Sequence, residues 1–220
     1  MSATTRDELK RALKQQQVGP LYVLYGAEDY LRDRAAKAVA NAALKGAELR
    51  EFNESSFSLN SSSVHDALAA AEQLPMMAER RLVKITDFNK IRDNDEEALI
   101  GYLSRPVEST TLILVAIDLD KRRKLTKTLI ESCISVEFAP LKDAELTAWA
   151  RGHLKELKVE ADNRTLELII GLVGSKVRTL SNELDKLATA AIKPAELRSR
   201  WSMNWWVVRE NYRTLSCWTT

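Results

Sequence analysis

The sequence has few of the residues from which metal sites, disulfides and nucleophilic active sites are built. It contains two cysteines and two histidines in 220 residues. Cys133 and Cys217 lie far apart in sequence and suit neither a disulfide framework nor a zinc site. His65 and His153 are isolated, and the chain has no HExxH, GxSxG or GxGxxG motif. We therefore expect no metal, no cofactor and no catalytic residues.

Long hydrophobic runs are also missing. No apolar segment approaches the roughly 20 residues needed to cross a bilayer, and the start of the chain, MSATTRDELKRALK, lacks the apolar centre of a secretory signal. We therefore expect a cytoplasmic protein that does not bind membranes. The formal net charge is only +2, so any binding to nucleic acid would depend on a local cluster of basic residues.

Apolar segments alternate with amphipathic helical patterns in the first part of the chain. Strand-like segments fall at residues 21–25, 47–53, 82–85, 110–117 and 134–138. Helical patterns fall at residues 5–16, 28–44, 64–74, 96–103 and 121–132. The segment TTLILVAI is the strongest strand, apolar and β-branched as a central parallel strand should be. The alternation predicts an α/β domain with a parallel sheet, covered on both faces, over residues 1–140.

The pattern changes to helices alone after Pro140. Helical periodicity covers residues 143–157, 162–173 and 175–191, with short polar segments between them. We expect a small helical domain over residues 141–191.

The first strand is followed by a glycine and a helix, as in nucleotide-binding proteins, but the phosphate-binding residues are missing. A phosphate loop reads GxxxxGK[ST], where amides hold the anion, lysine neutralises it and the hydroxyl binds magnesium. Counted from Gly26, the last three positions of this pattern are Leu-Arg-Asp, at residues 31–33. We expect the carboxylates of Glu28 and Asp29 to satisfy the helix amides instead. The sequence therefore predicts no ATPase site.

Four segments together resemble the family of DNA polymerase III delta subunits, which belong to the bacterial clamp loader. They are LYVLYGAEDYLRDRAAKAV, EQLPMMAERRLVKI, TTLILVAIDLDKRRKLTKTL and GSKVRTLSNELDKLA. The resemblance implies an AAA+-like (P-loop NTPase-like) domain without a functional phosphate loop, a helical lid domain, and then a collar domain. It also implies a non-catalytic subunit that binds and opens the sliding clamp while neighbouring subunits use ATP.

The resemblance places the clamp-binding element, an apolar pair, at the end of the helix that follows the second strand, in AEQLPMMAERR. The matching residues are Gln73, Leu74, Met76 and Met77. Two adjacent methionines after a proline cannot both point into one core, so we expect one of them to face solvent or a partner. The alternative is that both pack under the sheet.

The segment DKRRKLTKTL contains a local cluster of basic residues. Five cations fall within seven residues: Lys121, Arg122, Arg123, Lys124 and Lys127. Such a cluster would bind the DNA phosphate backbone without reading the bases. The alternative is a solvated helix face, with Leu125 and Leu129 on its buried side.

Residues 192–220 differ in composition from the rest of the chain. Tryptophan is concentrated there, at positions 201, 205, 206 and 218, and no helical or strand period is visible. The resemblance ends near residue 191, where the family continues into its collar. We expect a shortened or frame-shifted product without a collar domain, which would weaken assembly with other clamp-loader subunits.

We therefore predict a non-catalytic clamp-loader subunit whose partners are the sliding clamp (beta subunit), other loader subunits and, through the basic cluster, DNA. One alternative is an ATP-hydrolysing AAA+ protein, in which Asp118 or Asp120 would hold magnesium after the strongest strand. The other is a protein-interaction module without a role in replication.

Overall fold

Residues 4–190 are described by a computed structural model, and the chain divides into two units between Pro140 and Leu141. The segment 192–220, predicted to be an atypical tail in place of a collar domain, lies outside the described residues. None of the described helices is long and apolar enough to span a membrane.

A parallel sheet forms the centre of the first unit. Among the described residues its strands are β1 (Leu21–Tyr25), β2 (Glu54–Ser58), β3 (Arg81–Thr86), β4 (Thr110–Ala116) and β5 (Ile134–Glu137). They lie in the order β2-β3-β4-β1-β5, and each neighbouring pair is parallel. β4 is the middle strand and all its residues are buried, as its apolar, β-branched sequence predicts.

Helices cover both faces of the sheet. In chain order they are α1 (Arg6–Lys14), α2 (Asp29–Ala43), α3 (Arg50–Asn53), α4 (Val64–Ala71), α5 (Glu96–Ser104) and α6 (Lys124–Ser132). Side chains alternate along β1, so Val23 joins a core with α4, α5 and α6, while Leu24 joins a second core with α1 and α2. The predicted α/β class with a parallel sheet is confirmed.

Short polar motifs determine where α1 and α4 begin. The Ser63 hydroxyl accepts a hydrogen bond from the Asp66 amide (3.1 Å), and the Asp66 carboxylate accepts one from the Ser63 amide (3.3 Å). Thr5 and Glu8 form the same reciprocal pair at α1. These capping boxes satisfy amides that a helix leaves unpaired, so α4 starts directly after the predicted serine run.

Two elements start later than predicted. Residues 47–53 are predicted as a strand, but Arg50–Asn53 form the short helix α3 and the strand begins at Glu54. The real strand reads ESSFS, is only half-buried at the sheet edge, and so carries little hydrophobic signal.

The second is the basic helix, whose start is predicted at Lys121 but lies at Lys124. The Asp120 carboxylate accepts a hydrogen bond from the Arg122 amide (3.0 Å), and its carbonyl accepts one from the Arg123 amide (3.1 Å). These bonds hold residues 120–123 in a turn ahead of the helix.

Three helices make up the described part of the second unit. They are α7 (Asp143–Glu156), α8 (Asn163–Val173) and α9 (Val177–Ala190), close to the predicted helical segments. Leu146, Leu166 and Leu180, one from each helix, are fully buried. The imidazole Nε2 of His153 lies 2.8 Å from the Asp185 carboxylate, which links α7 to α9. Packing between helices therefore gives this unit a core of its own.

Candidate functional site

The carboxyl ends of β1, β4 and β5 meet where a nucleotide phosphate lies in related α/β folds. Gly26 follows β1 with φ of +128°, and an ideal Cβ at this position would overlap the carbonyl group of Phe138. The Gly26 amide donates to the Ala116 carbonyl (3.3 Å), and the Glu28 amide donates to the Phe138 carbonyl (2.9 Å). Backbone hydrogen bonds therefore join the turn after β1 to Ala116 at the end of β4 and to Phe138 after β5.

Arg32 lies at the position that lysine takes in a phosphate loop. Its side chain is 9% exposed, and its Nη1 donates to the carbonyl oxygens of Gly26 and Ala116. The cation at this position thus connects the ends of β1 and β4, and it points at main-chain oxygens. Arg32 and Phe138 thus both bind the backbone around the turn after β1.

The predicted cap of α2 is partly wrong. We expect the Glu28 carboxylate to cap α2, but its side chain makes no capping hydrogen bond. Glutamate is longer than the side chains that favour this position, Ser, Thr, Asp and Asn. The main-chain amide of Glu28, which precedes the helix, donates to the Phe138 carbonyl.

The two aspartates after β4 bind local backbone groups. Asp118 accepts from the Leu119 amide (2.8 Å), and Asp120 accepts from the Arg122 amide (3.0 Å). Among the described residues, no group of three or more His, Cys, Asp or Glu side chains is arranged to hold a metal ion.

The predicted clamp-binding residues lie on the opposite side of the sheet, at the amino ends of its strands. They belong to the α4–β3 loop, residues 72–80, which leads into β3. Leu74, Met76 and Met77 are 80%, 50% and 73% exposed, and Gln73 is also exposed. The alternative in which both methionines pack under the sheet is therefore wrong.

Hydrogen bonds fix the backbone of the α4–β3 loop at its start and end. The Thr110 hydroxyl donates to the Ala71 carbonyl (2.7 Å), immediately before the loop. At the other end, the Arg80 guanidinium donates to the Glu108 carbonyl (2.9 Å). The loop is thus attached at both ends to the chain around the start of β4.

The middle of the loop is held by Asn53, which is fully buried. Its Oδ1 accepts from the Met76 amide (2.7 Å), and its Nδ2 donates to the Met76 carbonyl (2.7 Å) and the Leu49 carbonyl (3.0 Å). Met77 follows with φ of +50°. The loop combines a fixed backbone with large apolar side chains in solvent, an arrangement suited to binding a hydrophobic pocket.

Sequence reasoning missed two residues near this loop. Asn53 was assigned to a strand, and a single buried asparagine has no sequence signal that separates it from a surface one. Phe52, beside it in α3, is 53% exposed. It precedes β2 as the α4–β3 loop precedes β3, and these neighbouring strands are parallel. Phe52 therefore adds apolar surface at the same edge of the sheet.

The basic cluster divides into one paired arginine and four exposed cations. Arg123 Nη2 lies 2.5 Å from the Asp93 carboxylate and 2.6 Å from that of Glu96. The exposed members are Lys121, Arg122, Lys124 and Lys127. Leu125 and Leu129 are buried, as predicted for the inner side of the helix.

Comparison with known proteins connects this geometry to a family. Residues 22–139, the sheet with its helices, match the family described as DNA polymerase III, delta subunit. The chain belongs to this family. It is 30% identical over 190 residues to DNA polymerase III subunit delta of Bacillus subtilis (strain 168), and the match covers 81% of this chain and 54% of the relative. The chain thus spans about half the length of this delta subunit.

Solved structures agree with membership of the delta family. The Bacillus subtilis DNA clamp loader delta protein matches with a TM-score of 0.71 and 28% identity, over 85% of this chain and 58% of that one. A Thermotoga maritima RuvB variant matches with a TM-score of 0.51 and 14% identity, over 88% of this chain and 65% of that one. The latter shows the fold alone, and the predicted AAA+-like fold of this delta-family chain is confirmed.

Proposed function

We propose that this chain acts as a delta-type component of the DNA polymerase III clamp loader and binds the sliding clamp through the α4–β3 loop. The observation that carries the proposal is the exposure of Leu74, Met76 and Met77 on a backbone held by hydrogen bonds. Isolated apolar side chains are common on protein surfaces, whereas several on one ordered loop are typical of a binding anchor. Gln73 supplies a polar neighbour at the rim of the contact.

Opening of the clamp would follow from binding alone. A subunit that binds the open ring more tightly than the closed ring shifts the clamp toward the open form, without chemistry of its own. Members of the loader that use ATP would control when this surface meets the clamp. As a component of the bacterial replication machinery, the chain would act in the cytoplasm.

The experiment is a binding measurement between this chain and a purified bacterial sliding clamp. Replacing both Met76 and Met77 by alanine should weaken binding by about thirtyfold or more, because such anchors dominate interface free energies. The matched control replaces Leu168 and Leu172, two exposed leucines of α8, by alanine and should bind as the unaltered chain does. Equal affinities for all three proteins would contradict the proposal.

The same proposal includes the absence of ATP hydrolysis by this chain. It is supported by the Phe138 carbonyl in the place of the loop cavity and by Arg32 bound to main-chain oxygens. Magnesium-dependent ATP turnover by the purified chain, lost on substitution of Arg32, would favour the ATP-hydrolysing alternative.

DNA is a further proposed partner, through Lys121, Arg122, Lys124 and Lys127. These side chains are exposed after β4, at the opposite sheet edge from the α4–β3 loop. Arg123 is left out of the proposed surface because two carboxylates neutralise it. Other subunits of the clamp loader are the third class of proposed partner.

A further inference from the structure

We propose that Asn53 is a positioning residue for the α4–β3 loop and sets the affinity for the clamp without touching it. The inference rests on the proposed function, since it assigns to a buried side chain the task of holding the binding loop in its binding conformation. Asn53 has no exposed surface, so its effect on a partner must pass through the residues it holds.

The carboxamide of Asn53 matches the backbone of Met76 group for group. Its oxygen accepts from the Met76 amide, its nitrogen donates to the Met76 carbonyl, and its second N–H donates to the Leu49 carbonyl. This pairing needs one acceptor and two donors on one short, planar side chain, which asparagine alone supplies at this length. Aspartate would lose both donors when ionised, and alanine would lose every bond.

The backbone next to this pairing is one that a loop does not adopt without support. Met77 has φ of +50°, in the left-handed region that residues with a side chain rarely enter. Without the hydrogen bonds of Asn53, this conformation would be less stable relative to more extended ones. The two methionine side chains would then sample many orientations. Binding would then have to order the loop, a cost that the bound Asn53 removes in advance.

The first variant is Asn53→Ala, and affinity for a purified bacterial sliding clamp is the first measurement. We expect about tenfold weaker binding, although every exposed residue of the loop is unchanged. The matched control is Ser63→Ala, which removes the capping box at the far end of α4 and should leave clamp affinity unchanged.

The second measurement reads the loop directly and needs no partner. The chain has four methionines, so ¹³C-labelled methionine methyl groups give few NMR signals, and single substitutions assign those of Met76 and Met77. In Asn53→Ala both signals should move toward the positions of a mobile, solvent-averaged side chain. In Ser63→Ala they should stay in place.

A second variant, Asn53→Asp, guards against simple loss of folding. A buried carboxyl has a raised pKa, and its protonated form regains a donor toward the Met76 carbonyl. Lowering the pH from about 8 to about 6 should therefore restore part of the clamp affinity of Asn53→Asp, while the unaltered chain changes less. Far-UV circular dichroism must show Asn53→Asp equally folded at both pH values, since protonation of a buried carboxyl also restores folding; a rescue in a chain that is folded throughout reports the loop.

The outcomes separate the two proposals. If the unaltered chain fails to bind the clamp, the proposed function fails, and the methyl signals still decide the role of Asn53. Unchanged Met76 and Met77 signals in a folded Asn53→Ala chain would overturn the positioning role. So would full clamp affinity in that variant, even where alanine at Met76 and Met77 abolishes binding.

Discussion

At the scale of single residues, the turn after β1 depends on how close two backbones can approach. Gly26 has no side chain, and the chain uses that freedom to bring the Phe138 carbonyl against the turn after β1. Arg32 then binds the carbonyl oxygens of Gly26 and Ala116 from within the sheet end. Arginine often binds a charged ligand, but Arg32 binds the main chain of its own protein.

Substitution of Gly26 should therefore be costly for stability. Gly26→Ala adds a Cβ that overlaps the Phe138 carbonyl at a φ unfavourable for alanine, and we expect a loss of about 2 to 4 kcal/mol in the free energy of unfolding. Urea denaturation measures it. Gly101→Ala is the control, since Gly101 lies inside α5 with nothing near its Cβ position, and alanine there should stabilise by up to about 1 kcal/mol. Equal effects of the two changes would contradict the packing described.

Burial of the Cys133 thiol makes the free energy of unfolding depend on pH in the alkaline range. Burial raises the pKa of its thiol from 9.0 to about 12. The unfolded chain therefore loses this proton at lower pH than the folded chain, so the contribution is complete below pH 9 and is lost as the pH rises from 9 toward 12. The unfolding free energy of the unaltered chain should fall more steeply over this interval than that of Cys133→Ala.

Buried tyrosines do not confuse this comparison. Burial also raises the pKa of Tyr22, Tyr25 and Tyr102, but both proteins retain them, so the difference between the two curves isolates the thiol. Parallel curves would contradict the role given to Cys133.

At the scale of elements, the predictable parts are those whose sequence carries its own signal. β4 is rich in apolar and β-branched residues along its length. α4 begins directly after Ser63, which forms a capping box with Asp66. β2 carries no such signal, because the sheet edge tolerates the polar sequence ESSFS. The start of α6 also depends on Asp120, which accepts hydrogen bonds from two following amides. The sequence alone does not distinguish this turn from an aspartate that caps the helix directly.

The candidate loop shows the same division. The presence of Leu74, Met76 and Met77 after α4 was predicted, and exposure of at least one methionine followed from their adjacency. The hydrogen bonds between Asn53 and Met76 were not predictable because they connect residues 23 positions apart. In addition, Asn53 lies in a helix where the sequence predicts a strand. Long-range contacts to backbone groups leave no periodic pattern in a sequence.

The basic segment at α6 predicts a specific salt dependence. If its exposed lysines contact phosphates, replacing both Lys124 and Lys127 by alanine should reduce the slope of log affinity for duplex DNA against log salt by about 0.9 for each lost contact. Fluorescence anisotropy at several salt concentrations measures the slope. Arg123→Ala should leave the slope unchanged, since Asp93 and Glu96 bind that arginine. An unchanged slope in the double variant would mean that this helix face is only solvated.

At the scale of the whole molecule, the two edges of the first unit's sheet have different properties. The carboxyl ends of the strands carry the turn at Gly26 and the basic cluster, while the amino ends carry the α4–β3 loop and Phe52. A ligand at the carboxyl ends of the strands therefore needs no contact with a partner bound at their amino ends. The turn at Gly26, where a nucleotide phosphate lies in related α/β folds, is joined by backbone hydrogen bonds to Ala116 and Phe138.

Clamp binding by the isolated chain should therefore be independent of nucleotide. We expect the same affinity for a purified sliding clamp without nucleotide, with ATP and magnesium, and with ADP and magnesium. Isothermal titration under the three conditions tests it. A shift of about tenfold between conditions, corresponding to about 1.4 kcal/mol, would show that the chain binds nucleotide and would contradict this independence.

The strand order also determines when the sheet can close during synthesis. β1 is made first but pairs only with β4 and β5, the last two strands of the unit. A nascent chain that has emerged from the ribosome only as far as β3 holds the apolar segment LYVLY without a neighbour on either side. Until Thr110–Ala116 emerges, that segment is exposed to chaperones and to other unfinished chains.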